Sequence, residues 1–371
     1  MDAVKTIVVS AVNLRKGGTL TILRDCLKYL SYLVEGGEYK VVAIVHKKEL
    51  CDYPGIEYVE MPEIINGWGK RLWFEYVTCR KISDELAPVY LWFSLHDTSP
   101  IVKADRQAVY CQTSFPFYKW SLRDFKMDFK IPLFAMFTKY AYKVNIRSNR
   151  YLIVQQNWLR EGFSRMFGLE KNKFIVAPPQ KKTTEVNPES IGKQVYTFFY
   201  ASTPDCHKNF ETLCEAAKLL ESELRGDRFK VVLTLSGAEN KYSQWLHKNW
   251  GSVNSIDFAG FMSKERLYGY YKSSDCLVFP SKVETWGLPI TEFMETSPDK
   301  PMLLSDLPYA HETAAGALQV CFFNPNDPIE LKNRMMEMVE NNCTALKSVP
   351  KQIIEEPKAE SWEKLFEVLL K

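Results

Sequence analysis

The chain predicts an α/β protein made of two doubly wound parallel sheets in tandem, and three observations carry that expectation. Short apolar runs of strand length alternate with amphipathic segments of helix length from end to end, the pattern of β-α-β units in which helices cover a parallel sheet. The series breaks once, at a polar stretch over residues 181–193 that carries Lys-Lys-Thr-Thr-Glu and Asn-Pro-Glu-Ser, and then begins again. A composition shift of this kind marks a linker between domains. Finally, 371 residues, 46% of them apolar, are enough to bury more than one core.

Taken in order, residues 6–12 open the chain as a buried strand. One Lys precedes this β-rich run and no cleavage-type site follows, so it reads as structure and not as an export signal. A helix over 19–33 comes next, then strands over 40–45, 56–61, 89–95, 108–111 and 151–155, with a helix over 157–167 behind the last. After the polar stretch, strands are expected over 196–201, 230–236, 255–258, 276–279, 301–305 and 318–323. Helices fit 210–224, 264–273, 289–295 and 328–341, where the apolar period lengthens. Residues 361–370 form a closing amphipathic helix. No internal repeat or low-complexity tract interrupts the series.

Composition narrows the function. Nine scattered cysteines without a CxxC pair argue for a reducing cytoplasm and against a disulfide framework or a zinc site. The longest apolar runs, such as 89–95 and 131–137, fall far short of the ~20 residues of a membrane-spanning helix. A net charge of +3 with no recognition motif excludes nucleic acid as the expected partner. The charge is uneven, however. Residues 116–150 hold Lys119, Arg123, Lys126, Lys130, Lys139, Lys143, Arg147 and Arg150 among aromatics, opposed by Asp124 and Asp128. Such a segment suits an anionic membrane surface, with Trp120, Phe125, Phe129, Phe134 and Phe137 in the interface. It equally suits a helix with an apolar core face and a solvated basic one.

The strongest chemical signal runs from Phe279 through Pro280-Ser281-Lys282-Val283-Glu284-Thr285-Trp286-Gly287-Leu288-Pro289 to Glu292. It reads as a strand end, a glycine turn and a helix with Pro at its start. Unpaired amides and the positive dipole end of that helix suit the phosphates of a nucleotide sugar. Glu284 in the loop and Glu292 in the first turn bracket this anion site with carboxylates able to accept hydrogen bonds from vicinal hydroxyls. A lone acid near a helix start is otherwise unremarked surface. The second signal is Asp205-Cys206-His207-Lys208-Asn209-Phe210, which sets Lys208 at a helix start, an unfavourable place for a cation unless an anion neutralises it. The third is Lys16-Gly17-Gly18-Thr19, where a glycine pair lets the backbone approach a ligand. It lacks the full G-x-G-x-x-G dinucleotide fingerprint, which disfavours a nicotinamide dehydrogenase. On the acceptor side, His96, Asp97 and Gln112 sit at strand ends; His96 and Asp97 read equally well as turn caps.

The string ending at Glu292 resembles the E-x7-E signature of glycosyltransferase family four, with Trp286 where that family usually has Phe. The resemblance implies a GT-B fold, two Rossmann-like domains facing a central cleft. Residues 1–185 would be the acceptor-side domain, 186–355 the nucleotide-sugar domain and 356–371 a helix crossing back to the first. It implies that Glu284 contacts the transferred sugar, the backbone at Gly287 and Leu288 the sugar and phosphates, and Glu292 the ribose hydroxyls. Lys208, with His207, would hold the diphosphate, and Gly17 and Gly18 would close over donor and acceptor. Ala201-Ser202 replaces the family's usual Gly-Arg, and Gln112 stands about where many relatives have a sugar-contacting His. The expected protein is a retaining hexosyltransferase that moves sugar from a UDP- or GDP-type donor to a glycan or lipid-linked acceptor, in surface polysaccharide or glycolipid synthesis at the inner face of a membrane. No Asp-x-Asp occurs, so no metal or cofactor is expected. A nucleotide-sugar epimerase on the same scaffold, or a non-catalytic nucleotide-sugar or lipid-binding scaffold, are the competing readings.

Overall fold

The computed structural model of the chain describes residues 4–65, 67–180, 187, 189–192, 195–224 and 228–371. In chain order its first part gives β1 (Lys5–Ser10), α1 (Gly17–Glu35), β2 (Tyr39–Val45), β3 (Ile56–Glu60), α2 (Trp68–Trp73), α3 (Cys79–Glu85), β4 (Val89–Ser94), β5 (Arg106–Tyr110), α4 (Leu122–Met127), α5 (Lys130–Lys143), β6 (Tyr151–Val154), α6 (Asn157–Phe167) and β7 (Phe174–Val176). The second part gives β8 (Tyr196–Tyr200), α7 (Phe210–Glu223), β9 (Phe229–Leu233), α8 (Lys241–Trp250), β10 (Ile256–Phe258), α9 (Lys264–Ser273), β11 (Cys276–Phe279), α10 (Leu288–Thr296), β12 (Met302–Ser305), α11 (Pro308–Thr313), β13 (Val320–Phe323), α12 (Pro328–Val339) and α13 (Trp362–Leu370). Every strand predicted from the sequence has its counterpart, and the two-sheet α/β class is confirmed. Residues 181–186, 188 and 193 of the expected linker lie outside the described residues.

Two compact units result. The first gathers Met1–Thr113, Phe137–Gln180 and Ile354–Lys371, the second Ser114–Met136 and Lys181–Ile353. In the first unit seven parallel strands lie in the order β3-β2-β1-β4-β5-β6-β7. Apolar runs rather than alternation built these strands because both faces are covered. Ile7 and Val9 of β1 face the core under α1 and α13, while Val8 meets Val42, Phe74, Cys79 and Trp92 on the opposite face. The closing helix α13 packs on this unit as predicted: Phe366 is fully buried, stacked on Tyr29 of α1 at 5.5 Å and edge-on to Phe93 of β4 at 5.7 Å. In the second unit six parallel strands run β10-β9-β8-β11-β12-β13.

Two of the places that escaped prediction have a short or broken period. The strand β7 has three residues. Between α2 and α3 the five residues Phe74–Thr78 form a π turn, which slips the 3.6-residue repeat. Helix α8 is different: Tyr242, Leu246 and Trp250 keep helical spacing and are buried, and a capping box fixes its start, Asn240 accepting from Ser243 N at 2.8 Å.

Candidate functional site

In the second sheet the strand order reverses between β8 and β11, which pair through Cys276 with Phe198 and Leu277 with Phe199. Connections leaving these two strands diverge, and a crevice opens at their carboxyl ends. Both strong sequence signals lie there. From β8 the chain enters a single 3₁₀ turn, Cys206–Lys208, and then Asn209, which starts α7 in the left-handed conformation at φ 58°. Asparagine tolerates that conformation. The Asn209 amide donates to the carbonyls of Pro280 at 2.9 Å and Pro325 at 2.7 Å, and its oxygen accepts from Thr212 at 2.9 Å. The Tyr200 hydroxyl donates to the Lys208 carbonyl at 2.7 Å, and the His207 carbonyl accepts from Lys282 N at 2.8 Å and Ser281 Oγ at 3.3 Å. The loop after β8 and the loop after β11 are thereby sewn into one surface.

On that surface Lys208 Nζ lies 2.7 Å from Glu284 Oε1, with side chains 15% and 12% exposed. Two charges so far withdrawn from water must compensate each other to offset their desolvation. The pairing holds both groups in place, and the ammonium still has two further donors to offer. Sequence reasoning named both residues but not their contact, and it gave Asn209, Tyr200 and Lys282 no role.

The helix α10 begins beside them. Gly287, its N-cap, is buried at φ 95°, and an added Cβ would lie 3.3 Å from Ile290 Cδ1 and 3.7 Å from Phe279 Cε1. Positive φ and a crowded Cβ position both select glycine. No side chain caps this helix, and Pro289 stands in its first turn. Pro289 has no N–H and Ile290 N donates to the Gly287 carbonyl at 3.0 Å, which leaves the amides at Gly287 and Leu288 as those an anion could take. Glu292 is the fifth residue of α10, just outside the first turn in which it was expected. Its carboxylate accepts from Tyr271 OH at 3.0 Å, and burial pushes its pKa above the usual carboxylate range. His207 is held neutral, its pKa lowered well below the ordinary value by burial and by the neighbouring Lys208.

In the first unit Gly17 starts α1 at φ 59°, exposed, with no side-chain cap and nothing within 4 Å of a Cβ built there. The acceptor-side candidates lie just past the ends of β4 and β5. His96 is buried, its Nε2 3.0 Å from Glu75 Oε1 and 3.3 Å from Ser10 Oγ, while Arg71 Nε pairs with the same Glu75 oxygen at 2.8 Å. Burial alone would raise the Glu75 carboxyl; His96 and Arg71 bring it below the usual range instead. Asp97, at φ 64°, accepts backbone N–H bonds from Gln112 at 2.6 Å and Thr113 at 3.1 Å, and burial pushes its pKa up to about 6. These two side chains tie strand ends together inside the unit, His96 buried and Asp97 half-buried. Gln112 is half-buried and donates to the Leu95 carbonyl at 2.6 Å. Of the five aromatics expected at an interface, Trp120, Phe129 and Phe137 are exposed. Phe134 instead packs edge-on to Phe115 at 5.4 Å and Phe125 on Trp120 at 5.5 Å.

Comparison with known proteins places this geometry. The sequence profile of glycosyl transferases group 1 matches residues 181–358. No curated protein matches the chain by sequence. The fold is similar to that of sucrose-phosphate synthase from Thermosynechococcus elongatus, at a TM-score of 0.63 and 13% identity over 92% of this chain and 91% of that one. It is also similar to the lipopolysaccharide outer core galactosyltransferase WaaB, at 0.59 and 11% over 94% and 92%. The HepE protein of Anabaena, solved in complex with UDP and glucose, gives 0.58 and 13% over 90% of each chain.

Proposed function

We propose that this chain, which carries the glycosyl transferases group 1 match over residues 181–358 on a GT-B fold, is a retaining glycosyltransferase that passes a hexose from a nucleotide sugar to a lipid-linked glycan without a metal ion. In this reading the amides at Gly287 and Leu288 and the Lys208 ammonium hold the diphosphate, with His207 beside Lys208 in the same loop. Glu284 accepts from hydroxyls of the transferred sugar and Glu292 from those of the ribose. As the glycosidic bond to phosphate breaks, negative charge grows on the diphosphate, and a fixed ammonium stabilises that state more than the ground state. The departing phosphate oxygen takes the acceptor's proton on the face where the new bond forms, so no separate general base is invoked. Glu284 is freed from Lys208 when phosphate takes its place. The observation that carries the reading is the 2.7 Å Lys208–Glu284 pair at the sheet reversal, beside the open end of α10.

The acceptor side of the proposal rests on residues 116–150. In α5, Phe137 and Tyr140 are exposed beside exposed Lys130 and Lys143, a composition that supports resting on an anionic bilayer where a lipid-linked acceptor is presented. Among the described residues no helix is long and apolar enough to cross a membrane.

A thermal-shift screen with UDP, GDP, ADP and their common sugars tests the donor site. A ligand at about one hundred times its Kd stabilises the folded state by about 2.7 kcal/mol. Lys208→Ala is expected to lower turnover by about a hundredfold while changing donor affinity far less. Chelator should leave turnover intact. Unchanged kinetics in the lysine variant would remove the leaving-group account. Isomer formation without acceptor would indicate an epimerase, and saturable binding without turnover a scaffold.

A further inference from the structure

The segment Ser114–Met136 belongs by sequence to the first half of the chain, yet it packs on the second unit, and what it grips there is the loop that leads to Lys208. Helix α4 is pinned by a capping box in which the Asp124 carboxylate accepts from Ser121 N at 2.7 Å and Ser121 Oγ accepts from Asp124 N at 3.3 Å. The same buried carboxylate accepts the Tyr118 hydroxyl at 2.9 Å. Tyr118 is thereby held edge-on to His207, 6.1 Å between ring centroids, and Phe115 meets His207 edge-on at 5.0 Å. The carbonyl of that histidine is the one that accepts from Lys282 and Ser281.

A buried carboxylate makes the second grip. Glu211, in the first turn of α7, pairs with Arg123 of the segment and accepts from the Tyr242 hydroxyl. Lys282 Nζ lies 3.5 Å from it, two residues before Glu284 in the chain. Glu211 therefore has two cations to satisfy it, one from the segment and one from the Glu284 loop. Without Arg123, a nearly buried carboxylate would have to draw Lys282 closer to meet its charge, and the loop bearing Glu284 would follow. We propose that Ser114–Met136 is a positioning strap for the donor site. Arg123 acts as a positioning residue through Glu211 and Lys282 on Glu284, and the Phe115–Tyr118 clasp acts through His207 on Lys208. The inference rests on the donor reading above and names what holds that site in shape. The His207 Nδ1, out of reach of solvent in a half-buried ring, agrees with a clasp that is closed.

The test compares wild type with Arg123→Ala and Arg123→Lys, following nucleotide diphosphate release from UDP-glucose, GDP-mannose and ADP-glucose. Arg123→Ala is expected to lower kcat by about tenfold or more with donor KM within about threefold, and Arg123→Lys to recover much of the loss. Imidazole NMR supplies a readout independent of turnover. The His207 ring of the wild type should stay neutral across the ordinary histidine range, and Phe115→Ala should let it titrate. An Arg123→Ala enzyme with normal kcat, even if its Tm is lower, overturns the strap, as does a His207 titration that Phe115→Ala leaves untouched. A wild type that releases no nucleotide diphosphate from any of the three donors sinks the donor reading and the strap with it.

Discussion

Glu292 is a carboxylate kept where its charge is poorly solvated, and that has a measurable consequence. Burial raises its pKa and only the Tyr271 hydroxyl and the charge of Lys264 oppose the shift. Because the folded-state value lies above the unfolded one, its contribution to stability is fully present below the unfolded pKa and is lost as pH rises through the folded one. Near neutral pH the ionised Glu292 therefore weighs against the ligand-free fold, a cost that ribose hydroxyls would offset when a nucleotide binds. Glu292→Gln, which keeps the shape and a carbonyl for Tyr271, is expected to raise the Tm of the ligand-free protein near neutral pH. That gain should fade as pH falls through the carboxylate range. Nucleotide diphosphate affinity should drop by about tenfold, ~1.4 kcal/mol. A lower Tm near neutral pH, or an unmoved affinity, would show that this glutamate is structural. Residues of this kind stand out in the sequence because they fall in one short string. The partners of His96 and Asp97, namely Glu75, Arg71 and the amides of Gln112 and Thr113, could not be read there, because they come from positions that only folding brings near.

Elements meet at the proposed donor site through one residue, Asn209, whose backbone and side chain make separable demands. It stands at φ 58° and donates to two carbonyls at the ends of other strands. Asn209→Gly keeps the left-handed backbone at little strain and loses both bonds; Asn209→Ala loses the bonds and adds about 1–2 kcal/mol of strain. Urea unfolding should therefore place both variants below wild type, the alanine variant lower by about 1 kcal/mol or more. Equal stabilities would mean that the turn relaxes and that φ carries no cost. The same division explains what the sequence revealed of the elements. Strands covered on both faces appear as continuous apolar runs, so β4 and β11 were placed within a residue. Helices α2 and α3, split by a π turn, leave no sustained period to find.

At the scale of the molecule, nothing in a linear pattern tells which half a segment will pack on, and residues 116–150 show it: their basic and aromatic character was plain, but part of it is spent inside the protein. Arg123 pairs with Glu211 and Phe134 packs on Phe115, so neither is free for a lipid. What remains exposed on and beside α5 is Phe129, Phe137, Tyr140 and Val144 with Lys130 and Lys143. Each lysine near an anionic leaflet contributes about 1 kcal/mol, and Phe137 and Tyr140 add apolar burial that salt does not screen. Binding should therefore need both parts. Vesicles containing phosphatidylglycerol are expected to retain the protein at low salt, and phosphatidylcholine vesicles to let it pass. Raising ionic strength until the Debye length falls to about 3 Å should release most of it. Lys130→Glu with Lys143→Glu should abolish retention while leaving the thermal shift by nucleotide intact, since neither lysine touches the donor site. Retention that ignores lipid charge would point to adsorption through the aromatics alone, and no retention at low salt would end the membrane reading while leaving the transferase standing.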